Sequence, residues 1–447
     1  MIEGIKPYPK YKDSGVPWLG QVPERWVLAP LGRYLRVKSG DMIAAEEEAE
    51  NGFPIYGGNG VRGYTSKYNT EGPIVLLGRV GAKCGCVHFV SGRFWASEHA
   101  LRVIPQQTMD LGYLARLLET ADFNQYAIRT AQPLINSSIV RTLRVAIPSH
   151  EEQRLMAKFI LSAERKIRRY IAAKRKLIKL LEEEKQAIIH RAMTRGLDPT
   201  VRLKPSGVEW VGDIPEHWSA RRAKYYMCEV DERSNSGDEE LLSVSHKTGV
   251  TPRSEKNITM FMAESYAGHK ICRAGDIVIN TMWGWMAAIG VSSRVGLVSP
   301  SYGVYRLVDG NKFLPNFLDL LLRIELYRGE YVRSSRGITS SRLRLYPEYF
   351  LNIPVLCPPL EEQKSILQFI LNATAQLSSV IDTARHEIEF LDEYRTRLIS
   401  DVVTGKLDVR EAAVDLPDEP DDILPDIDDD ALPDEEAEDA EPEEEAV

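Results

Sequence analysis

Cysteine is scarce and scattered, with five residues at positions 84, 86, 228, 272 and 357 in a chain of 447. That excludes a disulfide framework and fits a reducing, cytoplasmic setting. No window approaches about eighteen consecutive apolar residues, so no membrane span or membrane partner is expected. The first residues show no basic segment leading into an apolar run, so no secretory signal is expected either. Catalytic signatures are missing too: there is no HExxH, no Walker A motif and no Asn/Asp-Pro-Pro-Tyr/Phe of an amino-methyltransferase. The stretch YGGNG (56 to 60) lacks the full G-x-G-x-x-G spacing, so its glycines read as turn formers. Cys84, Cys86 and His88 make a C-x-C-x-H trio without an evident fourth ligand. Alternation along a strand would put all three on one face without any metal. No catalytic, cofactor-binding or metal residue is therefore expected in this chain.

One sign of charge is absent from the end of the sequence. From Glu411 to Val447 there are 19 Asp and Glu and no Lys or Arg. Removing those 19 from the 65 acidic residues leaves 46 against 56 basic ones, so the net charge of −9 conceals a body of about +10. A positive body is the expected footprint of a nucleic-acid partner. The segment 411–447 cannot build a core and is expected to be a disordered acidic tail that favours solubility.

What is present is repetition. GVPWLGQVPERW (15 to 26) returns as GVEWVGDIPEHW (207 to 218), with seven of twelve positions identical and Leu19/Val211 and Val22/Ile214 conservative. EEQRLMAKFI (151 to 160) returns as EEQKSILQFI (361 to 370), and MTRGLD (193 to 198) as VTGKLD (403 to 408), both at an offset of 210. The chain thus divides into an opening segment 1–26, a variable region 27–150, a long helix 151–195, a linker 196–218, a second variable region 219–360, a second long helix 361–405 and the tail 411–447.

The helices are predicted from heptad spacing without Pro or Gly over 151–192. Ile160, Ile167, Leu181 and Ile188 form one apolar row, and Met156, Ala163, Tyr170 and Leu177 the other. In the second copy the rows are Ile370, Leu377, Ala384, Leu391, Leu398 and Ile366, Ala373, Val380, Tyr394, with Lys174, Glu184 and Glu387 interrupting. Such a seam must be covered by another helix. Residues 151–194 hold 12 basic and 6 acidic side chains, and 361–404 hold 4 and 8, so the two helices have reason to pair with each other. If the ends of the second variable region lie close together, the pair is antiparallel and the chain has an approximate internal twofold.

Both variable regions read as short strands between glycines, followed by a helical stretch: IVLLGRV (74 to 80) and CVHFV (86 to 90), then 111–128, in the first; DIVINTMWGWMAAIGVSS (276 to 293) and LVSPSYGVYRLV (297 to 308), then 314–332, in the second. The fold class is α/β, of the α+β type. Side chains near the glycine turns are candidates for bases and phosphates: Asn59, Arg62, Lys67, Arg79, Lys83 and Arg93 in region one, Asn280, Arg294, Arg333, Arg336 and Arg342 in region two. Arg reads guanine and Asn adenine by paired hydrogen bonds, while Lys commonly meets phosphate.

Taken together, the openings SGVPWLGQVPERW and SGVEWVGDIPEHW, the motifs IPSHEEQ and CPPLEEQ, and the LINSSIV and ITSSRLR loops resemble the specificity subunits of Type I restriction-modification systems. The resemblance covers about residues 8 to 410. It implies two target-recognition domains, 27–147 and 219–357, each reading one half of a split sequence in double-stranded DNA. It implies that helices 151–190 and 361–400 form an antiparallel coiled coil that sets the spacer. The coil would also dock two modification subunits, through seam residues such as Ile160, Ile167, Leu181, Ile188, Ile370, Leu377, Leu391 and Leu398. The modification subunits would supply S-adenosylmethionine-dependent adenine N6-methylation, and restriction subunits would add ATP- and Mg-dependent cleavage; this chain would bind none of those cofactors and catalyse nothing. It also implies that the phrases around Trp18, Trp26, Trp210 and Trp218 pack against the long helices. Two other readings stay open: a scaffold that touches no DNA, and a self-contained methyltransferase, for which the chain has little room.

Overall fold

The computed structural model describes residues 5–129, 132–256, 265–337 and 343–417. They fall into two compact units: one holds the chain up to Lys174 together with residues from His386 onward, the other holds Arg175–Arg385. The division cuts both long helices, His150–Arg195 and Leu360–Val403, so each unit contains half of each.

In the first unit a four-stranded antiparallel sheet runs in the order Val87–Val90, Ile74–Gly78, Ala100–Pro105, Leu35–Ser39. Alternation builds its inner face: Leu35 and Val37 are buried while Arg36 and Lys38, which alternate with them, are exposed. Against this face lies the helix Leu111–Thr120, started by Asp110, whose carboxylate accepts the Tyr113 amide at 2.8 Å. Tyr113, Leu114, Leu117 and Leu118 fill the core, which continues into Met156, Phe159 and Ile160 of the first long helix and Leu398, Ile399 and Val402 of the second. A second, five-stranded sheet carries Gly60–Thr65, Phe53–Gly57 and Arg93–Ala96, the last two parallel.

The second unit repeats the skeleton. Its sheet runs Ile289–Val291, Ile277–Ile279, Gly303–Leu307, Met227–Glu229, again antiparallel, and is covered by the helices Pro315–Arg323 and Glu325–Ser334. In place of the five-stranded sheet stand two antiparallel strand pairs, the hairpin Leu242–Ser245 with Gly249–Pro252 and the non-adjacent pair Lys270–Cys272 with Gly296–Val298.

The repeated phrase folds identically twice. Ser14 N–H donates to Gly20 O at 3.0 Å and Gly20 N–H to Val16 O at 3.0 Å; Ser206 to Gly212 and Gly212 to Val208 do the same at 3.1 Å each. Gly20 (φ +61°) and Gly212 (φ +71°) close these loops in the left-handed region, which favours glycine. Each phrase ends on a buried tryptophan whose indole N–H is taken by the second glutamate of EEQ: Trp26 by Glu152 at 3.2 Å, Trp218 by Glu362 at 2.9 Å. The glutamine that follows is buried as well. Gln153 accepts the Asp110 amide at 3.0 Å and Gln363 the Leu314 amide at 2.9 Å, tying each long helix to the start of the helix in its own variable region. The repeated letters are thus the joints of the frame, placed where an unmade hydrogen bond would be buried.

The two long helices pair antiparallel. Within the first unit Lys174 meets Glu387 at 2.5 Å; within the second Glu182 meets Arg385 and Lys185 meets Ser378, both at 2.9 Å. Partner numbers fall on one helix as they rise on the other. The seam is Met156, Ile160, Glu164, Ile167, Ile171, Lys174, Ile178, Leu181, Lys185, Ile188 and Ala192, and each has its counterpart 210 residues on, from Ile366 to Val402. Of the seam residues predicted, Ile160, Ile167, Ile370 and Leu398 are buried, and Leu181, Ile188, Leu377 and Leu391 half-buried. The second row is corrected. It passes through Ile171, Ile178 and Ile381, whereas Tyr170, Leu177 and Val380 are 65%, 37% and 41% exposed. Two successive four-residue steps, 156–160–164 and 366–370–374, shift the phase, as a stutter does where the supercoil locally unwinds.

The start of the segment expected as a disordered acidic tail from Glu411 is ordered. Arg410–Val414 is a short helix whose Ala413 is buried with Val409 in the first unit's core, because its first turn carries alanines rather than the charge run. Residues 418–447 lie outside the described residues. No helix among the described residues is long and apolar enough to cross a membrane.

Candidate nucleic-acid interface

In the first unit the loops at one end of the four-stranded sheet converge. Ile135 N–H donates to Arg79 O at 2.8 Å, Gly81 N–H to Pro133 O at 3.1 Å, and Arg79 N–H to His99 O at 2.8 Å. The turn carrying Asn59 joins them by a close approach that only glycine permits: a Cβ on Gly78 would lie 2.1 Å from Gly58 O. Asn59, Arg79 and Lys83 are thereby brought to one place. Arg79 Nη1 donates to Ser39 Oγ at 3.1 Å and Glu98 O at 3.3 Å, which fixes the loops to the strand end, while Lys83 is exposed.

The second unit gathers the equivalent loops in the same way. Leu345 N–H donates to Thr281 O at 3.0 Å, Thr281 Oγ1 to Ser301 O at 2.7 Å, and Arg336 pairs with Arg344 in a two-residue bridge. The contents differ. Here the loop holds Trp283 and Trp285, their rings stacked at 6.0 Å, and the Arg336 guanidinium lies over Tyr349 at 5.0 Å.

Several of the predicted residues are placed elsewhere. Arg62 lies on Glu48 at 2.8 Å, Lys67 on Glu47 at 2.6 Å and Arg93 on Glu71 at 3.4 Å, all on the five-stranded sheet and its edges. Arg294 meets Glu240 at 3.2 Å and Arg333 meets Glu330 at 3.0 Å. These are exposed pairs whose net attraction is small. Asn280 is a correction: it is buried, donating to the Tyr302 hydroxyl at 2.9 Å and accepting the Met282 amide at 3.2 Å, so it builds its loop rather than facing outward. Arg342 lies outside the described residues. Cys84, Cys86 and His88 do not share one strand, which begins only at Val87. Among the described residues no group of three His, Cys, Asp or Glu is placed to hold a metal ion.

Sequence reasoning missed a row of cations. Arg33, Arg36, Lys38, Arg141 and Arg144 are exposed and make no ion pair among the described residues. They sit on joined elements: Leu31 N–H donates to Leu143 O at 2.8 Å, Val27–Pro30 pairs with Arg144–Ile147, and Gly32 packs on Arg141. Arg36 and Lys38 continue the row along an edge strand towards Ser39 and the converging loops. The signal was the alternation of LRVK, with apolar residues inward and cations outward.

One further charged group lies between that region and the long helix. A cleft of about 410 Å³, with Asn59 at its lining, ends on Arg116, Glu119, Glu164 and Arg168. Arg116 spans Glu119 at 2.7 Å and the buried Glu164 at 2.6 Å. Burial raises the Glu164 carboxyl above its ordinary range, more than the guanidinium of Arg116 lowers it.

Residues 23–179 match the family described as the Type I restriction modification DNA specificity domain. Over 128 residues the chain is 34% identical to the Type I restriction enzyme EcoprrI specificity subunit of Escherichia coli, covering 28% of this chain and 32% of that protein. This alignment spans about a third of that relative's length. Over 421 residues it is 23% identical to the Type I restriction enzyme MjaVIII specificity subunit of Methanocaldococcus jannaschii, covering 87% and 95%. A chain solved for the structural basis of complex assembly and conformational transition of the type I R-M system shares the fold. It has a TM-score of 0.60 at 14% identity, over 86% of this chain and 98% of that one. With the specificity domain matched over residues 23–179 and a relative aligned almost end to end, the chain is similar along most of its length to the specificity subunits of Type I restriction-modification systems.

Proposed function

We propose that this chain is the non-catalytic sequence reader of a Type I restriction-modification complex, recognising double-stranded DNA as two separate half-sites. The observation that carries this reading is the doubled skeleton with unlike loop ends: the same strand order stands twice, holding Asn59, Arg79 and Lys83 in one unit and Trp283, Trp285 and Arg336 in the other. A constant frame with variable contents is what two unrelated half-sites require, whereas a scaffold has no use for unlike loops on a repeated skeleton. Arg33, Arg36 and Lys38 would meet phosphates and set register, and the loop ends would meet base edges. The remaining loop cations with described partners, Arg62, Lys67, Arg93, Arg294 and Arg333, would add phosphate contacts by exchanging weak carboxylate partners for DNA, and Arg342 would be a further candidate.

The antiparallel helices would set the spacer and dock two modification subunits. The apolar side chains left outside the seam, Tyr170, Leu177 and Leu180 on one helix and Phe390 on the other, support a partner there. S-adenosylmethionine would be held by the modification subunits, ATP and Mg by restriction subunits. The adenine to be methylated must leave the base stack, and the modification subunits would do that. Selection from a randomised duplex pool by the full chain with its modification subunits tests the reading. We expect enrichment of two short motifs separated by a fixed number of unspecified pairs; enrichment of one continuous motif, or of none, would refute it.

A further inference from the structure

The loop between Ile277–Ile279 and Ile289–Val291 carries two tryptophans in three residues. Other indoles of the chain are committed to the fold: Trp26 and Trp218 donate to the EEQ glutamates, Trp95 to Asp41 O at 3.0 Å, and Trp285 to Met282 O at 3.1 Å. Trp283 differs. Its ring is half-buried and stacked on Trp285 with planes 23° apart, while its N–H donates to no described residue and is not sealed from solvent.

The loop is also built to hold that ring still. Asn280 pins it from below through Tyr302, and Thr281 through Ser301. The backbone N–H of Trp283, unlike its indole N–H, donates to Asn280 O at 3.1 Å, and Trp283 O accepts the Ala288 amide at 3.2 Å. Ala287 sits at φ +64°, a left-handed conformation that a non-glycine residue holds only where its surroundings impose it. Exposed Arg336 and Arg344 pair with each other in an isolated bridge, joined to the loop through Leu345. The corresponding loop of the first unit, GRVGAKCGC (78 to 86), has exposed Lys83 and no aromatic residue.

We infer that Trp283, braced by Trp285, is the side chain with which the second domain reads a base edge in duplex DNA. Its N–H donates to a base acceptor and its ring covers an apolar edge such as a thymine methyl. The inference rests on the proposed function and deepens it: one half-site is read mainly through cations, the other through an aromatic platform flanked by guanidinium groups.

The test compares wild type, Trp283→Ala and Trp283→Phe, each as the full chain with its modification subunits, in selection from randomised duplex DNA with the two half-sites scored separately. In Trp283→Ala, discrimination at one or two positions of a single half-site falls by about tenfold, within the range for losing a specific base-edge contact. The other half-site is unchanged. Trp283→Phe keeps the ring, loses the donor and falls between the two. DNA of the selected sequence quenches wild-type tryptophan emission, and the quenched component is missing in Trp283→Phe. A Trp283→Ala protein that unfolds at the wild-type midpoint and selects the unchanged two-part motif overturns the inference while leaving the DNA-reader reading intact. A wild type that selects nothing overturns both.

Discussion

Raising salt from about 50 to about 200 mM weakens binding of duplex DNA by the assembled complex roughly a thousandfold, as displacement of about six phosphate-bound counterions requires. The number follows from the first unit. Arg33, Arg36, Lys38, Arg141 and Arg144 are exposed and make no ion pair among the described residues, and Lys83 adds a sixth at the converging loops. Ion-paired cations such as Lys67 and Arg93 contribute less, because the carboxylate each must leave takes back part of the gain. A logarithmic plot of affinity against salt should have a slope of about −5. Neutralising Arg36 and Lys38 together should flatten it by about two while leaving the preferred sequence unchanged, since phosphate contacts carry no sequence information. A scaffold that touches no DNA would show no such slope. Titration by fluorescence anisotropy over that salt range measures it.

Arg116→Ala destabilises the first unit by about 3–5 kcal/mol, because it strands a buried carboxylate. Glu164 is 3% exposed, and its near contact is the guanidinium, which also holds Glu119. Deleting the guanidinium leaves two carboxylates facing each other, with Arg168 and Arg395 only as more remote compensation. Glu164→Gln behaves differently. It removes the buried charge instead of exposing it to an empty site, and should lie within about 1 kcal/mol of wild type or above it. The pH dependence has a definite sign. Burial raises the Glu164 carboxyl above its ordinary value of 4.5, so the folded state holds this proton more firmly than the unfolded state. Its contribution is fully present below the ordinary value and is lost as pH rises through the raised one. The loss of stability in Arg116→Ala should therefore shrink on acidification, and that relief should vanish in Arg116→Ala/Glu164→Gln. Hydrogen exchange read on Leu111–Thr120 separates this from any change in Arg175–Arg385, which should be untouched.

Much of the frame was legible because its joints are written in polar and aromatic letters that tolerate little else. Trp26 with Glu152 and Trp218 with Glu362 are buried donor–acceptor pairs, and their letters recur at 192 and 210 residues. The seam was legible only in part. Tyr170 and Ile171 are both apolar, and so are Val380 and Ile381, so spacing alone could not tell a strict heptad from one interrupted by a four-residue step. Loop contacts were the least legible. The carboxylates that occupy Arg62, Lys67 and Arg93 come from strands brought alongside by sheet pairing, and no local pattern announces them. Asn280 looked like a surface amide because its partner, Tyr302, lies 22 residues away on another loop. Arg36 and Lys38 could have been found, since their alternation with Leu35 and Val37 places them on the outer face of an edge strand.

The central claim is that one chain holds two independent readers, and exchanging one of them tests it most directly. Residues 219–357 would be replaced by the equivalent region of another specificity subunit. Genome-wide adenine methylation would then be mapped for both chains, each co-expressed with the modification subunits. The account predicts a split motif for the parent, and for the chimaera a motif that keeps one half and the spacer while the other half changes. Loss or alteration of both halves at once, in a chimaera that assembles a stable complex, would contradict it.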